Sequence, residues 1–375
     1  MKAKQLTYLL IFLNGLQLAT SHAQPGFNYP AANVAITSSM SLRSWNIKGG
    51  DNEKRISQLV FPLISIRPLS ENLDLLFSTS NASTILETDS RHRLDGFTDG
   101  KLKLFYRLAD NSGLLSLGLS LPYGKNDFDY QEYRVANSLY ETILGFNVKR
   151  FGEGLDIDLG LIYAKNFSRY FTFGVGMGYL LKGEYKYLKS SDNTFKPGDE
   201  FSVHTGIDIE IDSVLIRTDI LYSTFGRDKL NGEPFLKAGD QIELETILFL
   251  QSHPFVLTLS LKDIIKQHNN LLGEWSTSLL NGRNFIDNSF LSQIQFIYNI
   301  NPRFSLSGKF GLNKFGESDL QLSDAWIVNV GPEFYYKFSE SIRMRGELLY
   351  LTGEAEASTI TLNGWNTLLG FSLRF

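Results

Sequence analysis

The chain has 375 residues, a formal net charge of −4, 43% hydrophobic residues and no cysteine. The mildly acidic balance argues against nucleic acid as a partner, and the lack of cysteine excludes disulfide bonds as a source of stability. After the first 23 residues no stretch approaches 18 uninterrupted apolar residues, which excludes a membrane-spanning helix.

The amino terminus has the pattern of a secretory signal peptide. Lys2 and Lys4 precede an apolar core at residues 6–13, and Ser21 and Ala23 supply the small residues that a signal peptidase reads. The core is too short to cross a hydrocarbon layer of roughly 30 Å as a helix. We therefore predict a signal peptide at residues 1–23. Its removal takes away two lysines and no acidic residue, which lowers the formal charge from −4 to −6.

Most of the remaining chain alternates between apolar and polar residues with a period of two. One segment, for example, sets the apolar residues Phe304, Leu306, Phe310 and Leu312 against Ser305, Ser307, Lys309 and Asn313. Side chains alternate across a β-strand, so this pattern predicts strands with one apolar face. No helical stripe interrupts the pattern, and we predict an all-β fold.

The connections between these strands are of two kinds, which alternate through the last ten strands. Short turns lie near residues 166–169, 212–213, 252–254, 301–302 and 339–340. Longer polar stretches lie near residues 182–198, 225–239, 263–286, 314–323 and 353–360. A β-sandwich has no reason to keep its long loops at one end, whereas a barrel in an outer membrane does. Long loops are then expected outside the cell and short turns in the periplasm.

The amino-terminal third follows this rule less well. The predicted strands there lie near residues 56–67, 72–79, 101–109, 113–121, 139–150 and 154–163. Carrying the alternation back puts a tight turn at 152–154 outside and the longer segment 122–138 in the periplasm, against the rule. Counting from Arg55 gives sixteen strands and counting from Gly100 gives fourteen. The segment 24–54 would either plug the lumen or pair as an extra strand.

The last eleven residues carry a resemblance to a known class. Alternate positions from Trp365 to Phe375 are almost wholly apolar, and the pattern runs to a terminal phenylalanine. This resembles the C-terminal recognition strand of bacterial outer-membrane β-barrel proteins. The resemblance implies that Phe371, Leu373 and Phe375 form an assembly signal for the barrel-assembly machinery. We expect a single transmembrane antiparallel up-and-down β-barrel of 14–16 strands at residues 55–375, in the outer membrane of a Gram-negative bacterium.

A second resemblance concerns the segment 159–185, together with residues 121–125. These residues resemble outer-membrane transporters of the long-chain fatty acid and aromatic-hydrocarbon type, including the barrel family linked to phenol degradation. That similarity implies a monomeric barrel, an amino-terminal plug and diffusion of small hydrophobic compounds. The fatty-acid family carries an Asn-Pro-Ala motif in its plug, which Tyr29 interrupts here between Asn28 and Pro30.

Residue patterns that suggest chemistry are few. Gly174, Gly176 and Gly178 alternate along one strand and precede no helix, so they indicate a small-residue stripe facing the lumen rather than a phosphate loop. The histidines show no metal-ligand spacing, and no base, nucleophile or paired carboxylates group at one rim. We predict no cofactor, no metal site and no enzymatic activity.

The alternation also predicts which charged side chains face the lumen, because charges facing lipid are costly. The predicted set is Asp156, Asp158, Asp208, Glu210, Arg217, Asp219, Glu243, Glu245, Lys309, Glu333, Arg343, Arg345, Glu347 and Arg374. Acidic residues dominate the central strands and basic residues the last ones. Walls of opposite sign would orient polar solutes in an aqueous pore. Alternatively, the charges would pair with one another and fill a narrow interior.

Two functions fit these observations. The first is an outer-membrane channel or transporter, porin-like, for passive or gated uptake of small molecules, hydrophobic ones included. The second is a non-conducting structural or adhesive barrel whose extracellular loops bind a partner. Expected partners are outer-membrane lipid, the barrel-assembly machinery and a small-molecule solute.

Overall fold

A computed structural model describes residues 34–50, 52–108, 112–186, 188–273, 288–318, 322–356 and 358–375. The predicted signal peptide and the first part of the segment 24–54 lie outside the described residues. In the described part of the chain, no helix is long and apolar enough to cross a membrane.

The main sheet contains seventeen strands. In chain order they are β1 (Ala35–Gly49), β2 (Asn52–Ser70), β3 (Leu73–Glu87), β4 (Arg91–Phe97), β5 (Gly100–Arg107), β6 (Gly113–Leu121), β7 (Asp156–Asn166), β8 (Phe171–Leu181), β11 (Glu200–Ile211), β12 (Val214–Phe225), β15 (Gln241–Ser252), β16 (Phe255–Lys266), β18 (Ser289–Asn301), β19 (Phe304–Phe315), β20 (Ala325–Lys337), β21 (Ile342–Ala355) and β22 (Ile360–Arg374). Each pairs with its neighbours in antiparallel register, so the topology is up-and-down.

The sheet closes on itself because β1 pairs with β22 over its whole length, from Ala35 opposite Arg374 to Gly49 opposite Ile360. Both β4 and β5 pair with β3, along different halves, and so share one position in the wall. The described strands therefore form a closed barrel with sixteen wall positions. The residues 35–49 of the segment 24–54 form the strand β1, and residues 52–54 begin β2.

The two faces of the wall differ in the way that the alternation predicts. Outward residues are large and apolar, as in β8, where Val175, Met177 and Tyr179 are all exposed while Gly174 and Gly176 on the other face are buried. Because only a closed ladder satisfies every backbone polar group in lipid, an apolar exterior on a closed barrel is the structure of a membrane-spanning protein. The chain is an outer-membrane β-barrel.

The predicted strand near 139–150 is wrong, and without it the long connections fall on one side of the barrel. Residues 122–155 form one long connection between β6 and β7. It leaves the extracellular side of the wall and folds into the lumen, and we call it the inserted segment. From β6 onward, every long connection then lies on the extracellular side, so no long loop falls in the periplasm, while the extracellular connections β1–β2, β3–β4 and β21–β22 are short turns.

The inserted segment contains the helix α1 (Tyr130–Leu139) and a short 3-10 helix (Thr142–Leu144). Asp129 caps α1: its side chain accepts a hydrogen bond from the Glu132 amide at 2.8 Å, and the Glu132 side chain accepts one from the Asp129 amide at 3.2 Å. This reciprocal capping box satisfies two amides that a helix start leaves unpaired. The expectation that no helix interrupts the strands is therefore wrong here.

The inserted segment packs into the largest apolar core of the described residues. Its buried members are Phe128, Val135, Ala136, Leu139, Ile143, Leu144, Phe146, Val148 and Phe151. They meet inward side chains from two groups of neighbouring strands, β1–β4 and β19–β22, among them Trp45, Ile56, Leu94, Ile327 and Leu362. The lumen is thus filled on one side of its extracellular half, by a segment from the middle of the chain.

A second, smaller sheet lies above the wall on the extracellular side. It has five short strands: β9 (Tyr185–Lys186), β10 (Thr194–Lys196), β13 (Arg227–Leu230), β14 (Glu233–Lys237) and β17 (Asn270–Leu271). These come from three successive loops that follow β8, β12 and β16. We call this unit the loop sheet.

We expect Trp45→Ala to lower the free energy of unfolding by about 3–5 kcal/mol, because Trp45 is 1% exposed in the apolar core and its loss leaves a large cavity. The matched control is Trp365→Ala, on the neighbouring strand but 51% exposed toward lipid. Urea unfolding of the barrel in detergent micelles measures both. Equal losses in the two variants would contradict the packing described for the inserted segment.

Candidate functional site

Both ends of the inserted segment are attached to the wall at the junction of β4 and β5. The Asp99 carboxylate accepts hydrogen bonds from the amide of Gly124, at 2.8 Å, and from the amide of Glu153, at 2.7 Å. The Asp99 amide in turn donates to the carbonyl of Phe151 at 2.8 Å. A side chain at Gly124 would lie 2.3 Å from that carbonyl, so only glycine fits between the two ends. Asp99 therefore holds the start and the end of the segment together.

The middle of the inserted segment is bound by a buried amide. Gln58 on β2 donates to the Val148 carbonyl at 2.7 Å and accepts from the Val148 amide at 3.0 Å. Its amide nitrogen also lies 3.2 Å from the hydroxyl of Thr84. Because Val148 belongs to no strand, Gln58 supplies the two hydrogen bonds that a neighbouring strand would otherwise give.

The end of the 3-10 helix is bound by two side chains of β1. Trp45 donates its indole hydrogen to the Leu144 carbonyl at 2.8 Å, and Arg43 donates to the carbonyls of Leu144 and Gly145. A cation at this end of a helix complements the partial negative charge of the unpaired carbonyls. Gly145 has a φ of 58°, a left-handed conformation that glycine adopts without strain.

The lumen wall formed by β18–β21 contains a group of polar and charged side chains, which we call the ionic cluster: Gln295, Lys309, Glu333, Arg345 and Glu347. Lys309 lies 3.0 Å from Glu333 and 2.6 Å from Glu347, and Arg345 contacts both carboxylates. Gln295 donates to Glu333 at 2.6 Å. The side chains of Lys309, Glu333 and Glu347 are 1%, 0% and 7% exposed, so the centre of the cluster is buried and its charges are paired, while Arg345 at its edge is partly exposed.

The ionic cluster is joined to the inserted segment through one amide side chain. Asn366 donates to Glu347 at 2.9 Å and accepts from Arg43 at 3.3 Å. Arg43 in turn binds the carbonyl of Gly145. A continuous chain of hydrogen bonds thus runs from the inserted segment to the buried charges of β19–β21.

The wall from β5 to β16 is polar, and water reaches its charges. Two of its ion pairs are Lys103 with Asp158 at 2.9 Å and Lys262 with Glu243 at 2.6 Å, and these four side chains are 17–20% exposed. Arg217 binds Asp208 with two hydrogen bonds of 2.7 and 2.8 Å. We call this surface the polar wall. The exposure of paired charges inside a closed barrel indicates a hydrated space beside them.

Small residues leave room along the polar wall. Gly174, Gly176 and Gly178 face the lumen, and Gly160 lies beside Gly178 on the neighbouring strand. A cavity of about 100 Å³ lies here, bounded by Lys103, Asp158 and Ser202 among others. The glycine stripe therefore has the position that the alternation predicts, but the inserted segment binds the other side of the barrel.

All fourteen charged residues of the predicted lumen set lie at inward positions of the alternating strands. Asp156 accepts a hydrogen bond from the Gly183 amide at 2.8 Å. Asp219 lies opposite Glu245 and 3.5 Å from His204. Glu210 lies near the periplasmic end of β11, and Arg343 and Arg374 lie near the periplasmic ends of β21 and β22. Their role in solute passage stays a prediction.

The two proposed walls of opposite sign are not separate charged surfaces. Arg345 of the predicted basic wall binds Glu333 and Glu347 of the same strands, and the acidic residues of the polar wall bind Lys103, Arg217 and Lys262. Pairing within each wall is the alternative that the sequence left open. Lys103 and Lys262 were missed, although the same alternation places both of them inward.

Outward on β22 lie Phe371 and Phe375, which are exposed, and Leu373, which is partly exposed. The amide of Phe375 donates to the Val34 carbonyl at 2.9 Å, beside the β1–β22 closure. All three side chains therefore lie on the lipid-facing surface. The recognition of these residues during assembly stays a prediction.

Two charged groups of the inserted segment report on its surroundings. Burial raises the pKa of Glu141, with Lys54 acting in the opposite direction, and burial lowers the pKa of Lys149. Both shifts disfavour the charged form, as expected where water is scarce.

Among the described residues no group of three or more acidic, histidine or cysteine side chains could hold a metal ion.

No protein-family model matches the chain, and no curated protein matches it. Among solved structures, OccK7 of Pseudomonas aeruginosa is 10% identical with a TM-score of 0.44, over 92% of this chain and 99% of that one. The TodX monoaromatic hydrocarbon channel, as a deletion mutant, is 12% identical with a TM-score of 0.46, over 92% and 91%. An outer membrane channel of Pseudomonas putida F1 is 10% identical with a TM-score of 0.39, over 94% and 99%.

We expect Lys309→Met to destabilise the barrel by about 3–5 kcal/mol, because it leaves two buried carboxylates with one cation between them. The double variant Lys309→Met/Glu333→Gln removes a charge of each sign and should recover part of the loss. Lys262→Met, in a partly exposed pair, is the control and should cost less. Urea unfolding measures all three, and equal losses for Lys309→Met and Lys262→Met would contradict the burial of Lys309 in the ionic cluster.

Proposed function

We propose that the protein is an outer-membrane channel for small solutes, with a hydrated path along the polar wall and the inserted segment as its constriction. The observation that carries this proposal is the partial exposure of paired charges inside a closed barrel, at Lys103, Asp158, Glu243 and Lys262. A barrel interior that only stabilised itself would bury such pairs as deeply as Lys309 and Glu333.

The asymmetry of the lumen supports the same proposal. The inserted segment binds β1–β4 and β19–β22 through a continuous apolar core, and the glycine stripe lies across from it on β7 and β8. A solute therefore meets an apolar, filled half and a polar half with small side chains. Passage along the polar half needs no unfolding of the segment, while a shift of the segment would widen the path.

The charges on the β11–β16 part of the polar wall favour cations among the solutes. On β11, β12, β15 and β16 the inward acidic residues are Glu200, Asp208, Glu210, Asp219, Glu243 and Glu245, against the inward basic residues Arg217, Lys262 and Lys266. A low-dielectric wall with an excess of one sign raises the local concentration of the opposite ion. The hydrophobic solutes that the resemblance implies would instead need the apolar side of the lumen.

A second candidate function is a non-conducting barrel whose extracellular loops bind a partner. The observation that favours it is that the inserted segment fills half of the lumen and is bound to the wall by Gln58, Arg43 and Trp45. The two functions differ in whether current flows through the purified protein.

Conductance in planar bilayers tests the channel. We expect single-channel currents from the wild type and larger ones from Arg43→Ala/Gln58→Ala, which removes two of the side chains that bind the middle of the inserted segment. Arg91→Ala/Arg93→Ala, at exposed positions on β4, is the control and should leave conductance unchanged. If neither the wild type nor the double variant conducts while both migrate as folded, heat-modifiable barrels, the non-conducting function replaces the channel.

Ion selectivity tests the polar wall as the path. In a salt gradient, the reversal potential of the wild type should report a preference for cations. Asp219→Asn/Glu245→Gln removes two facing carboxylates from the wall and should reduce that preference. Asp192→Asn/Glu233→Gln removes two exposed carboxylates from the region of the loop sheet and should not. An unchanged reversal potential in the first variant would show that solutes take another route.

A further inference from the structure

The two faces of the loop sheet have opposite character. In the pairing of β9, β10, β13 and β14, Tyr185 lies opposite Phe195, Phe195 opposite Leu230, and Asp228 opposite Leu236. Tyr185 and Leu271 on this face are buried. The residues between them belong to the other face, and five of these are cations: Lys186, Lys196, Arg227, Lys229 and Lys237.

The apolar face points toward the lumen. Arg150 of the inserted segment interacts electrostatically with both Tyr185 and Asp228, which lie on this face. Leu188, two residues after β9, forms a β-bridge with Phe128 of the inserted segment. The cationic face therefore lies on the side of the loop sheet that faces away from the inserted segment.

The arrangement of these cations is unfavourable without a counter-charge. Lys196 lies directly opposite Lys229, and Arg227 lies directly opposite Lys237. Like charges at facing positions of an antiparallel pair destabilise it. Within the described part of the chain, Lys186 forms an ion pair with Asp192, whereas none of these other four does. The five cations on this small face contrast with the net charge of −4 of the whole chain.

The height of the cationic face above the wall identifies what it meets. Below it, the lipid-facing side chains of Tyr179, Phe201, Tyr222 and Ile242 are exposed. Arg227 follows Tyr222 by five residues, at most about 17 Å along an extended chain and less along a tilted strand. The cations thus lie just beyond the apolar belt, at the level of lipid headgroups.

We propose that the outward face of the loop sheet, with Lys196, Arg227, Lys229 and Lys237 at its centre, binds the phosphate groups of outer-leaflet lipids. The outer leaflet of a Gram-negative outer membrane carries phosphorylated glycolipid, whose paired anionic groups complement two facing pairs of cations. The acyl chains of the same lipid continue down the apolar belt of β8, β11, β12 and β15. An acidic protein partner would meet the cations alone, and the apolar belt below favours lipid.

The binding of lipid A to the detergent-solubilised full-length barrel tests this site. Native mass spectrometry counts the lipid retained by the wild type, with bisphosphorylated lipid A and with its dephosphorylated form as probes. We expect the phosphorylated lipid to bind at least about tenfold more tightly, and its binding to weaken as salt rises. Equal binding of the two probes, or binding insensitive to salt, would overturn the proposal without any variant.

Variants then locate the binding surface. Lys196→Gln/Arg227→Gln/Lys229→Gln/Lys237→Gln should lose at least about tenfold in affinity for bisphosphorylated lipid A. The control Lys48→Gln/Arg91→Gln/Arg93→Gln changes exposed cations that already pair with Glu53, Glu87 and Asp95, and should bind as the wild type does. Heat-modifiable migration confirms that each variant is folded. Equal losses in the two variants, or none in the first, would place the lipid elsewhere, as would retention of an acidic polypeptide in place of lipid A.

Discussion

The pairing of β1 with β22 is the constraint on which the rest of the structure depends. In hydrocarbon an unpaired backbone amide or carbonyl costs several kcal/mol, so a sheet is stable there only when it has no free edge. Closure then divides every strand between lipid and lumen, which gives the outward face its large apolar side chains. It also creates an enclosed volume that must hold water or protein. In this barrel the inserted segment fills one side of that volume, and the polar wall lines the other.

The inward face adapts to whichever of these it meets. Where β1–β4 and β19–β22 face the inserted segment, the inward residues are Trp, Ile, Leu and Ala, and the side chains Gln58, Arg43 and Trp45 satisfy a backbone that belongs to no ladder. Along the polar wall of β5–β16 they are glycines, serines and charged side chains, many of them paired. The ionic cluster lies between the apolar and the polar side of the lumen, and its buried charges are paired because an unpaired buried charge is costly.

Much of the wall follows from its sequence, because burial on one face imposes a period of two on every strand. The same reasoning failed at residues 139–150, for a physical reason. Leu144, Phe146 and Val148 alternate with Gly145, Asn147 and Lys149 as in a strand, and they are buried on one side. Alternation indicates only that one face is buried, however, and it does not show which groups form hydrogen bonds with the backbone. Here that partner is a set of side chains from β1 and β2. The helix α1 left only the weak signal of Asp129 and Glu132 three residues apart. The ionic cluster joins Lys309 to Glu347 across 38 positions, and no local pattern contains that register.

The attachment at Asp99 has a consequence for how such a protein can change. One carboxylate binds the amides of Gly124 and Glu153, so the inserted segment leaves and rejoins the wall at almost the same point. The strands on either side keep their register whatever lies between these two residues, and closing a loop costs little more as its length grows. The contents of the lumen can therefore be lengthened, shortened or exchanged as a unit while the barrel that carries them stays the same. A fold built in this way can acquire a different lumen segment while its strands keep the same pairing.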